Sequence, residues 1–468
     1  MNNSHIRPYS NTLLPLYSLV LFLLLLIPAL GFSQEEPVEE NTGPDFALVS
    51  TAEGDLLAAH NVAVSMRDGI SLSVNIFRPV GENTYSTLYA AGPLPHTEAI
   101  PGNDATLAGP ISWYVSQGYA VVLASVRGTG LSEGEFSFFA RNEQQDHYEV
   151  IEWIAAQPWS DGQVAGTGAG YYATAQWQMA IQNPPHLECI APINGALDPF
   201  REWIMPGGLA NNAFISDWVD SDVRIANANA YDTPRLVSLD LRLTQLSHPF
   251  YDDFWQIRNN LDSASLINIP VFALHEWSLA YTVADLTGTI EAMDRLNVIN
   301  KLLVRNPGEI LSIYKDIDFL GGELLPFYEW CFNDRRSDSA FIEKPRIRYQ
   351  VQGLNTVKPE NNWPPGNIAH EAWLLDSPSG NLDLPGSLSK QQQVNNFSIW
   401  NRKEQGGSLE FISMPLENDL EISGPVMTEL YISSSSADRA FEVTLYEEIV
   451  SENVITTVPL PSFLVRST

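Results

Sequence analysis

Apolar residues recur at different spacings along this chain of 468 residues, and the pattern changes near residue 344. Residues 71–77 alternate apolar and polar positions, which predicts a strand with one buried face. Residues 119–124 are apolar throughout, as expected for a strand covered on both faces. From about 143 to 157 the apolar positions share one helical face, and Pro158 ends that helix.

The alternation of strand and helix continues to about residue 304. It predicts a strand over 163–167, a helix over 173–182, a strand near Ile190, a strand over 269–274, a helix over 283–296 and a strand over 301–304. Strands that alternate with helices indicate a parallel sheet with helices on both faces. Residues 200–267 form a Trp- and Asp-rich, helix-leaning insertion, placed where a cap would cover the mouth of a site.

After residue 344 the pattern changes to short alternating segments separated by Gly, Pro, Asn and Ser. These segments are residues 347–351, 408–412, 429–433 and 441–445. Such spacing is typical of an all-β sandwich. We therefore expect an α/β domain over residues 61–343, with the cap at 200–267, and a β-sandwich over residues 344–468.

The N-terminus has the features of a targeting segment. A weakly basic start precedes an apolar run over residues 19–30 and small residues near 31–33, which predicts a signal peptide over residues 1–33. An uncleaved membrane anchor is the alternative, because the apolar stretch can be extended back to Leu13. Residues 34–60 are interpreted as an acidic leader, and the protein as secreted or periplasmic.

Charge and cysteine content narrow the function classes. The formal net charge of −31 argues against nucleic acid or anionic membrane surfaces as partners. Cys189 and Cys331 make neither a disulfide framework nor a zinc cluster, and we expect buried packing for Cys189. No His, Cys and carboxylate set has metal-ligand spacing, so we expect no metal and no cofactor.

The turn after residue 167 is the most informative motif. Gly168-Ala169-Gly170-Tyr171-Tyr172 lies between a predicted strand and a predicted helix, where an α/β-hydrolase carries Ser in a Gly-x-Ser-x-Gly turn. The middle position is Gly170, which has no side chain and cannot act as a nucleophile. One Ser, Ser132, also has the sequence Gly-x-Ser-x-Gly around it, but it stands in the Gly-rich loop after Arg127 and not directly before a predicted helix.

Other residues could carry chemistry by a different route. His275 and Glu276 stand at the C-terminal end of a predicted sheet strand, where active sites of open α/β folds gather. His275 is therefore the fallback base, against the alternative that it only packs there. Glu143 and Asp146 share a helix face and could be paired acid/base carboxylates, but the family resemblance described below favours helix-start and packing roles. The Gly-rich loop after Arg127 lacks the sequence of a phosphate-binding loop.

The motifs together resemble a known family. Met66-Arg67-Asp68-Gly69-Ile70, Arg127-Gly128 and Ser132-Glu133-Gly134-Glu135-Phe136 look like family motifs, in family order. Further matching positions are 77–79, 146, 153, 157, 159, 161–162, 176–178, 191–192 and 206–208. The chain is identified as a member of the CocE/NonD family of cocaine esterase-like and X-prolyl dipeptidyl-peptidase-like serine hydrolases. The resemblance implies an α/β-hydrolase domain, a helical cap, a C-terminal jelly roll and a Ser-Asp-His triad.

Carried over by resemblance, the triad positions are occupied by other residues. The nucleophile position falls on Gly170, the acid position on Leu279 and the base position nearest to Glu309. The family's side-chain oxyanion donor, a Tyr, would lie in the turn that here begins Gly92-Pro93-Leu94. Of the oxyanion donors, the backbone N–H of Tyr171 is the one retained.

Three hypotheses follow. The first is a secreted, non-catalytic pseudohydrolase that binds a small molecule or a peptide under its cap. The second is an active hydrolase of esters or Xaa-Pro peptides with a relocated site at His275 and Glu276. The third is a truncated gene product, because family jelly rolls continue well beyond the point where this chain stops. We accordingly expect an incomplete sandwich, and the sequence leaves the oligomeric state open.

Overall fold

The structure is a computed structural model, and its description covers only part of the chain. The described residues are 44–94, 107–229, 237–277, 285–306, 314, 316–333, 340–352, 354, 356–376, 386–390, 411–424, 426–430, 443, 445–451 and 454–459. The predicted signal peptide lies outside these residues. Among them, no helix is long and apolar enough to cross a membrane.

One large sheet of eleven strands dominates the molecule. In chain order its strands are β1 (Ala47–Thr51), β2 (Gly54–Ser65), β3 (Ser71–Pro79), β4 (Tyr85–Gly92), β5 (Ala120–Ser125), β6 (Ser160–Gly166), β7 (Leu187–Ile190), β8 (Val271–Glu276), β9 (Asn300–Arg305), β10 (Ile347–Val351) and β11 (Thr356–Glu360). In space their order is β1-β2-β3-β5-β4-β6-β7-β8-β9-β10-β11.

Helices cover both faces of this sheet. Those outside the insertion are α1 (Ile111–Ser116), α2 (Arg141–Ala155), α3 (Tyr171–Gln182), α7 (Asp285–Arg295), the turn Ile317–Phe319 with the π-helix Leu320–Leu324, α8 (Leu325–Phe332) and α9 (Ala340–Glu343). Two hydrophobic clusters correspond to the two faces. Val150 on α2 and Trp177 on α3 belong to one, and Tyr114 on α1 and Phe327 on α8 to the other.

The expected parallel sheet is confirmed for its centre. The neighbours from β5 to β10 run parallel, and the outer pairs at both ends are antiparallel. Because the chain passes from β4 to β5 on one side and then to β6 on the other, the strand order reverses at β4. Ligands of open α/β sheets bind at such a reversal, beside the carboxyl ends of the strands.

The insertion between β7 and β8 is helical, as its composition predicts. It contains the π-helix Phe200–Ile204, the 3₁₀ turn Pro206–Gly208, the π-helix Phe214–Ile225, α4 (Ala226–Asn229), α5 (Leu241–Ser247), α6 (Asp253–Gln256) and the 3₁₀-helix Leu261–Leu266. Trp203, Ile215 and Trp255 bury its apolar side in the same cluster as α2 and α3. This cap therefore packs on the face of the sheet that carries α3.

The start of the C-terminal region differs from the expected sandwich. Residues 347–351 form a strand, as their alternation predicts, but Ile347 pairs in parallel with Leu302 of β9. β10 and β11 therefore extend the large sheet instead of opening a separate one. Beyond them lie a three-stranded sheet, made of β12 (Trp373–Asp376), β13 (Gly386–Lys390) and β14 (Phe411–Ser413), and a hairpin of β15 (Tyr446–Ser451) and β16 (Val454–Pro459).

The two cysteines are bonded to each other. Cys189 on β7 is buried, as expected, but it also forms a disulfide with Cys331 on α8, 142 residues further along the chain. The expectation that Cys189 only packs is therefore corrected. The bond fixes α8 against the strand next to β6.

Candidate active site

The turn between β6 and α3 has the backbone of a nucleophile elbow. Gly170 precedes α3 with φ 61° and ψ −117°, a conformation that side chains disfavour and glycine adopts freely. Its backbone N–H donates to Ile193 O at 2.9 Å, and that of Ala169 donates to Leu107 O at 2.7 Å. Gly170 is half-buried, and a Cβ built on it would meet no atom of the described residues within 4 Å. The structure therefore has space for a side chain where the residue has none.

The preceding glycine is required for a different reason. Gly168 has φ +117°, and a Cβ there would lie 2.5 Å from Cβ of Tyr172. Such a distance is far below a van der Waals contact, so this position admits glycine alone. The elbow thus combines one tightly packed glycine with one open glycine.

Tyr171 begins α3 directly after the elbow. The N–H groups in the first turn of a helix have no acceptor within the helix. The backbone N–H of Tyr171 is therefore in the position expected of an oxyanion donor. The side chain of Tyr171 is buried: its ring stacks on Phe139 at 3.9 Å between centroids and on Trp218 of the cap at 5.8 Å.

The hydroxyl group of Tyr171 is hydrogen-bonded to a buried carboxyl group, that of Glu143. The Tyr171 hydroxyl donates to Glu143 Oε1 at 2.6 Å, and the backbone N–H of Phe139 donates to Glu143 Oε2 at 3.1 Å. Burial raises the pKa of Glu143 to about 7, although both hydrogen bonds favour its charged form. The packing interpretation of Glu143 is confirmed, and its partner is the residue that follows the elbow.

The loop that carries Phe139 is held in an unusual conformation. Phe138 and Phe139 both have positive φ, 47° and 67°, which bulky residues rarely adopt. Arg258 of the cap donates to Phe138 O at 2.8 Å, and Gln144 and Gln178 donate to Phe139 O at 3.1 and 3.0 Å. These hydrogen bonds come from three separate elements, and together they fix the surface on which Tyr171 lies.

A second buried network begins at the family-like loop after β5. Arg127 forms two hydrogen bonds to Asp146, at 2.7 and 2.6 Å, and a third contact of 3.1 Å to Asp68. The Arg127 and Asp146 side chains are both nearly inaccessible. This bidentate pair joins the loop to α2, so Asp146 serves packing, as the sequence indicated.

An asparagine of the cap, Asn227, also joins the cap to two loops near the elbow. Asn227 is fully buried; its Oδ1 accepts from the backbone N–H of Gly130 at 2.7 Å, and its Nδ2 donates to Pro93 O at 2.8 Å. Pro93 belongs to the turn after β4, where the family resemblance would expect the Tyr donor. The cap therefore closes directly onto that turn.

The fallback site lies at the end of β8. His275 is 2% exposed, and its Nε2 lies 2.8 Å from the Thr289 hydroxyl on α7. Burial lowers the pKa of His275 to about 3, so the ring is neutral at ordinary pH. Glu276 is 4% exposed, and its backbone N–H donates to Asn194 Oδ1 at 3.0 Å. The geometry favours a packed, hydrogen-bonded His275 over an accessible base.

The elbow and the end of β8 are connected through the segment after β7. Ile193 accepts from Gly170, and the backbone N–H of Asn194 donates to Leu274 O at 2.9 Å. The structure thus brings Gly170, Tyr171 and the end of β8 to the same edge of the sheet. Leu279 and Glu309, the positions expected for the acid and the base, lie outside the described residues.

Sequence reasoning missed two residues that build this site. Arg258 and Asn227 contact residues about 97 to 134 positions away, which no local pattern signals. The sequence did single out Glu143, through its position near the start of α2, but it did not predict the hydrogen bond between Glu143 and Tyr171. In the described part of the chain, no group of three or more His, Cys, Asp or Glu residues is arranged to hold a metal ion.

Comparison with known proteins agrees with this geometry. The family model of X-Pro dipeptidyl-peptidase (S15 family) matches residues 68–306, and that of the X-Pro dipeptidyl-peptidase C-terminal non-catalytic domain matches residues 339–451. The cocaine esterase of Rhodococcus sp. (strain MB1 Bresler) is 23% identical over 472 residues, which cover 84% of this chain and 81% of the esterase.

Solved structures of similar fold include members of the same group of hydrolases. A CocE/NonD family hydrolase from Staphylococcus aureus is 25% identical with a TM-score of 0.63, covering 75% of this chain and 63% of that chain. An α-amino acid ester hydrolase is 19% identical with a TM-score of 0.59, covering 76% of this chain and 66% of its own, which supports the fold alone. The chain spans somewhat less than two thirds of the length of these solved proteins.

The first family model covers just over half of the chain, including the elbow, the cap and the parallel strands from β4 to β9. The second begins just before β10, close to the expected boundary at residue 344. The chain therefore belongs to the X-Pro dipeptidyl-peptidase-like CocE/NonD hydrolase family, with an α/β-hydrolase fold and a C-terminal domain of the X-Pro dipeptidyl-peptidase type.

Proposed function

We propose that this protein is a non-catalytic member of its hydrolase family, which binds a small molecule or a peptide under the cap. The carrying observation is Gly170, a residue without a side chain at the middle of a fully formed elbow. Serine hydrolases need a hydroxyl at that point, activated by a His that an acid orients. The residues at the acid and base positions by resemblance, Leu279 and Glu309, supply neither role in its usual form.

The rate losses known for serine hydrolases that lack catalytic groups favour this proposal. Removing the nucleophile of a serine hydrolase leaves roughly 10³- to 10⁴-fold catalysis over water, from binding and the oxyanion hole. The turn Gly92-Pro93-Leu94 contributes no Tyr hydroxyl, so one oxyanion donor is missing as well. Losing one such donor costs about 10²- to 10³-fold in a serine protease. Any residual hydrolysis should therefore lie close to the uncatalysed rate.

The alternative is an active hydrolase of esters or Xaa-Pro peptides whose site has moved to His275 and Glu276. A general base must come within hydrogen-bond reach of the proton it removes. His275 is enclosed by the sheet and α7 and already contacts Thr289. This enclosure weighs against the alternative.

The test is turnover of activated aryl esters and Xaa-Pro anilides by the folded chain, starting at Gln34. We expect no turnover above buffer from a sample that unfolds cooperatively. His275→Gln should change nothing, and neither should His186→Gln, a matched control at an exposed histidine that contacts Glu152. Turnover that His275→Gln abolishes and His186→Gln leaves intact would establish the relocated site and reject the proposal.

We also propose export to the periplasm or the medium. The N-terminal segment has the composition of a signal peptide. The disulfide between Cys189 and Cys331 supports the proposal, because disulfides persist in oxidising compartments and are rare in the cytosol. Fractionation with intact mass spectrometry tests it: we expect an exported chain cleaved near residue 33 and oxidised at both cysteines. A reduced, full-length chain in the cytosol would contradict it.

A further inference from the structure

We propose that the outer side of the cap carries a binding site for a free long-chain alkyl carboxylate. The site is a groove of about 610 Å³ beside α5, which we call the cap groove. Its lining includes Met205, Ala210, Arg242, Gln245, Leu246 and Pro249. None of these residues belongs to the elbow or to the end of β8, so the inference is independent of the proposed function.

The helix beside the groove is apolar on its outer side as well as its inner side. Leu241 and Gln245 are buried toward the cap. Leu243 and Leu246 are 62% and 72% exposed and stand three residues apart, which places them on one helical face, and Leu246 lines the groove. Exposed apolar clusters of this kind mark binding surfaces, whereas single exposed apolar residues are ordinary.

The groove is built on fixed parts of the cap. The side chain of Asp240 accepts from the backbone N–H of Leu243 at 2.9 Å and so caps α5. Gln245 Nε2 contacts Met205 Sδ at 3.0 Å and joins α5 to the turn at Pro206–Gly208. The two sides of the groove are therefore held together without a ligand. Its volume lies within the usual range of small-molecule sites, roughly 300 to 1,000 Å³.

The charge of the groove is opposite to that of the chain. Arg242 is the only ionisable residue among the described residues that line it, whereas the chain as a whole has a formal net charge of −31. A guanidinium has five N–H donors in a fork that matches a carboxylate, so it can bind one while keeping contacts within the protein. Charges farther away than about 8 Å are largely screened at physiological salt. The carboxylate of Asp240 is close in sequence but is engaged at the N-cap of α5, whereas Arg242 lines the groove itself and is the charged side chain that a ligand there would meet.

An apolar groove with one cation at its side fits an amphipathic monoanion. The alkyl chain would lie along Leu246, Met205 and Pro249, and the carboxylate would pair with Arg242. A membrane surface is a poorer candidate, because a chain this acidic is repelled by anionic lipid. We therefore assign the groove to a single soluble alkyl carboxylate.

The test is isothermal titration of the full mature chain with dodecanoate, below its micellar concentration. We expect one saturable site. Arg242→Gln should weaken it about 10- to 100-fold, the usual effect of losing a hydrogen bond to a charged group. Leu246→Ser should weaken it about 10-fold through lost apolar burial. Leu48→Ser, at an equally exposed leucine on β1, is the matched control and should leave binding unchanged.

Ligand controls separate the remaining explanations. Dodecyltrimethylammonium should not compete, because it has the same chain and the opposite charge. The proposal is overturned by the absence of saturable binding, by equal binding of the cationic amphiphile, or by binding that neither Arg242→Gln nor Leu246→Ser weakens. Binding only to anionic vesicles, with none to monomeric dodecanoate, would assign the surface to a membrane and also reject the proposal.

Discussion

The elbow at Gly170 has a packed side and an open side. Below it, Tyr171 lies between two aromatic rings and donates to Glu143, and the loop under it is fixed by hydrogen bonds from three elements. Above it, the direction a side chain would take meets no atom within 4 Å in the part of the chain that the structure describes. The backbone of an elbow is present with its packing, while Gly170 at its middle carries no side chain.

The packed residues Tyr171 and Glu143 are needed for stability, whereas the side chain at position 170 would be needed only for catalysis. Buried polar groups that lose a partner destabilise the fold, so the packed side is constrained by stability alone. An open position carries no such constraint, and Gly170 can exchange with Ser or Ala at the cost of backbone strain only. Stability alone therefore does not require a side chain at Gly170.

The largest expected effect is on the buried Arg127–Asp146 pair, which joins the loop after β5 to α2. Arg127→Met leaves Asp146 buried without its cation, and we expect a loss of about 3–5 kcal/mol in the free energy of unfolding. The measurement is urea unfolding followed by circular dichroism. Arg224→Met removes a half-exposed pair with Asp220 on one helix and should cost about 0.5 kcal/mol or less. Equal losses in the two variants would contradict the expectation that burial makes the Arg127–Asp146 pair the costlier one to break.

Substituting the two glycines of the elbow should also cost different amounts of stability, with the larger loss at the tightly packed Gly168. Gly168→Ala places a methyl group against Tyr172 in a strained conformation, and we expect it to cost about 2–5 kcal/mol. Gly170→Ala and Gly170→Ser meet open space and should cost about 1–2 kcal/mol, from the positive φ. Thermal unfolding of the three variants side by side measures this. A Gly170 variant as unstable as Gly168→Ala would show that the open side is occupied.

Glu143 should make stability depend on pH. Its pKa rises from 4.5 in an exposed chain to about 7 in the fold, so the folded state holds its proton more tightly. The stability from this proton is complete below pH 4.5 and is lost as the pH rises to 7, by about 3 kcal/mol at most. Glu143→Gln should remove that loss, so the difference between variant and wild type should change over this window.

Two buried histidines change the stability with pH in the opposite direction to Glu143. The effect of Glu143 is therefore measured as the difference between wild type and Glu143→Gln. Burial lowers the pKa of His147 and of His275 to about 3, so their contribution to stability rises with pH between about 3 and 6.5. Urea unfolding at pH 4.5, 5.5, 6.5 and 7.5 measures both chains. A constant difference across these pH values would mean that Glu143 is already ionised in the fold.

Much of the α/β domain could be predicted from the sequence, because strand and helix periodicities are local. The segments at 71–77, 119–124, 143–157 and 269–274 form strands or helices within a few residues of the expected bounds. The elbow was found by its strand–turn–helix setting. The insertion at 200–267 was found by its length, its composition and its place between β7 and β8.

The remaining features depend on contacts distant in sequence. Alternation predicts that residues 347–351 form a strand, but not that β9 is its partner. Nothing local pairs Cys189 with Cys331, or directs Arg258 and Asn227 to loops about a hundred residues away. The acid position at Leu279 and the base position at Glu309 stay predictions, since both lie outside the described residues.

The disulfide has a topological consequence for a chain cut by a protease. The bond between Cys189 and Cys331 closes a loop of 142 residues that contains the whole cap, β8 and β9. A single nick within the cap would therefore leave the two fragments covalently joined. They would migrate as one band on a denaturing gel until a thiol is added, and only then as two. Cleavage of the backbone within the cap would therefore go unnoticed in any size measurement made under non-reducing conditions.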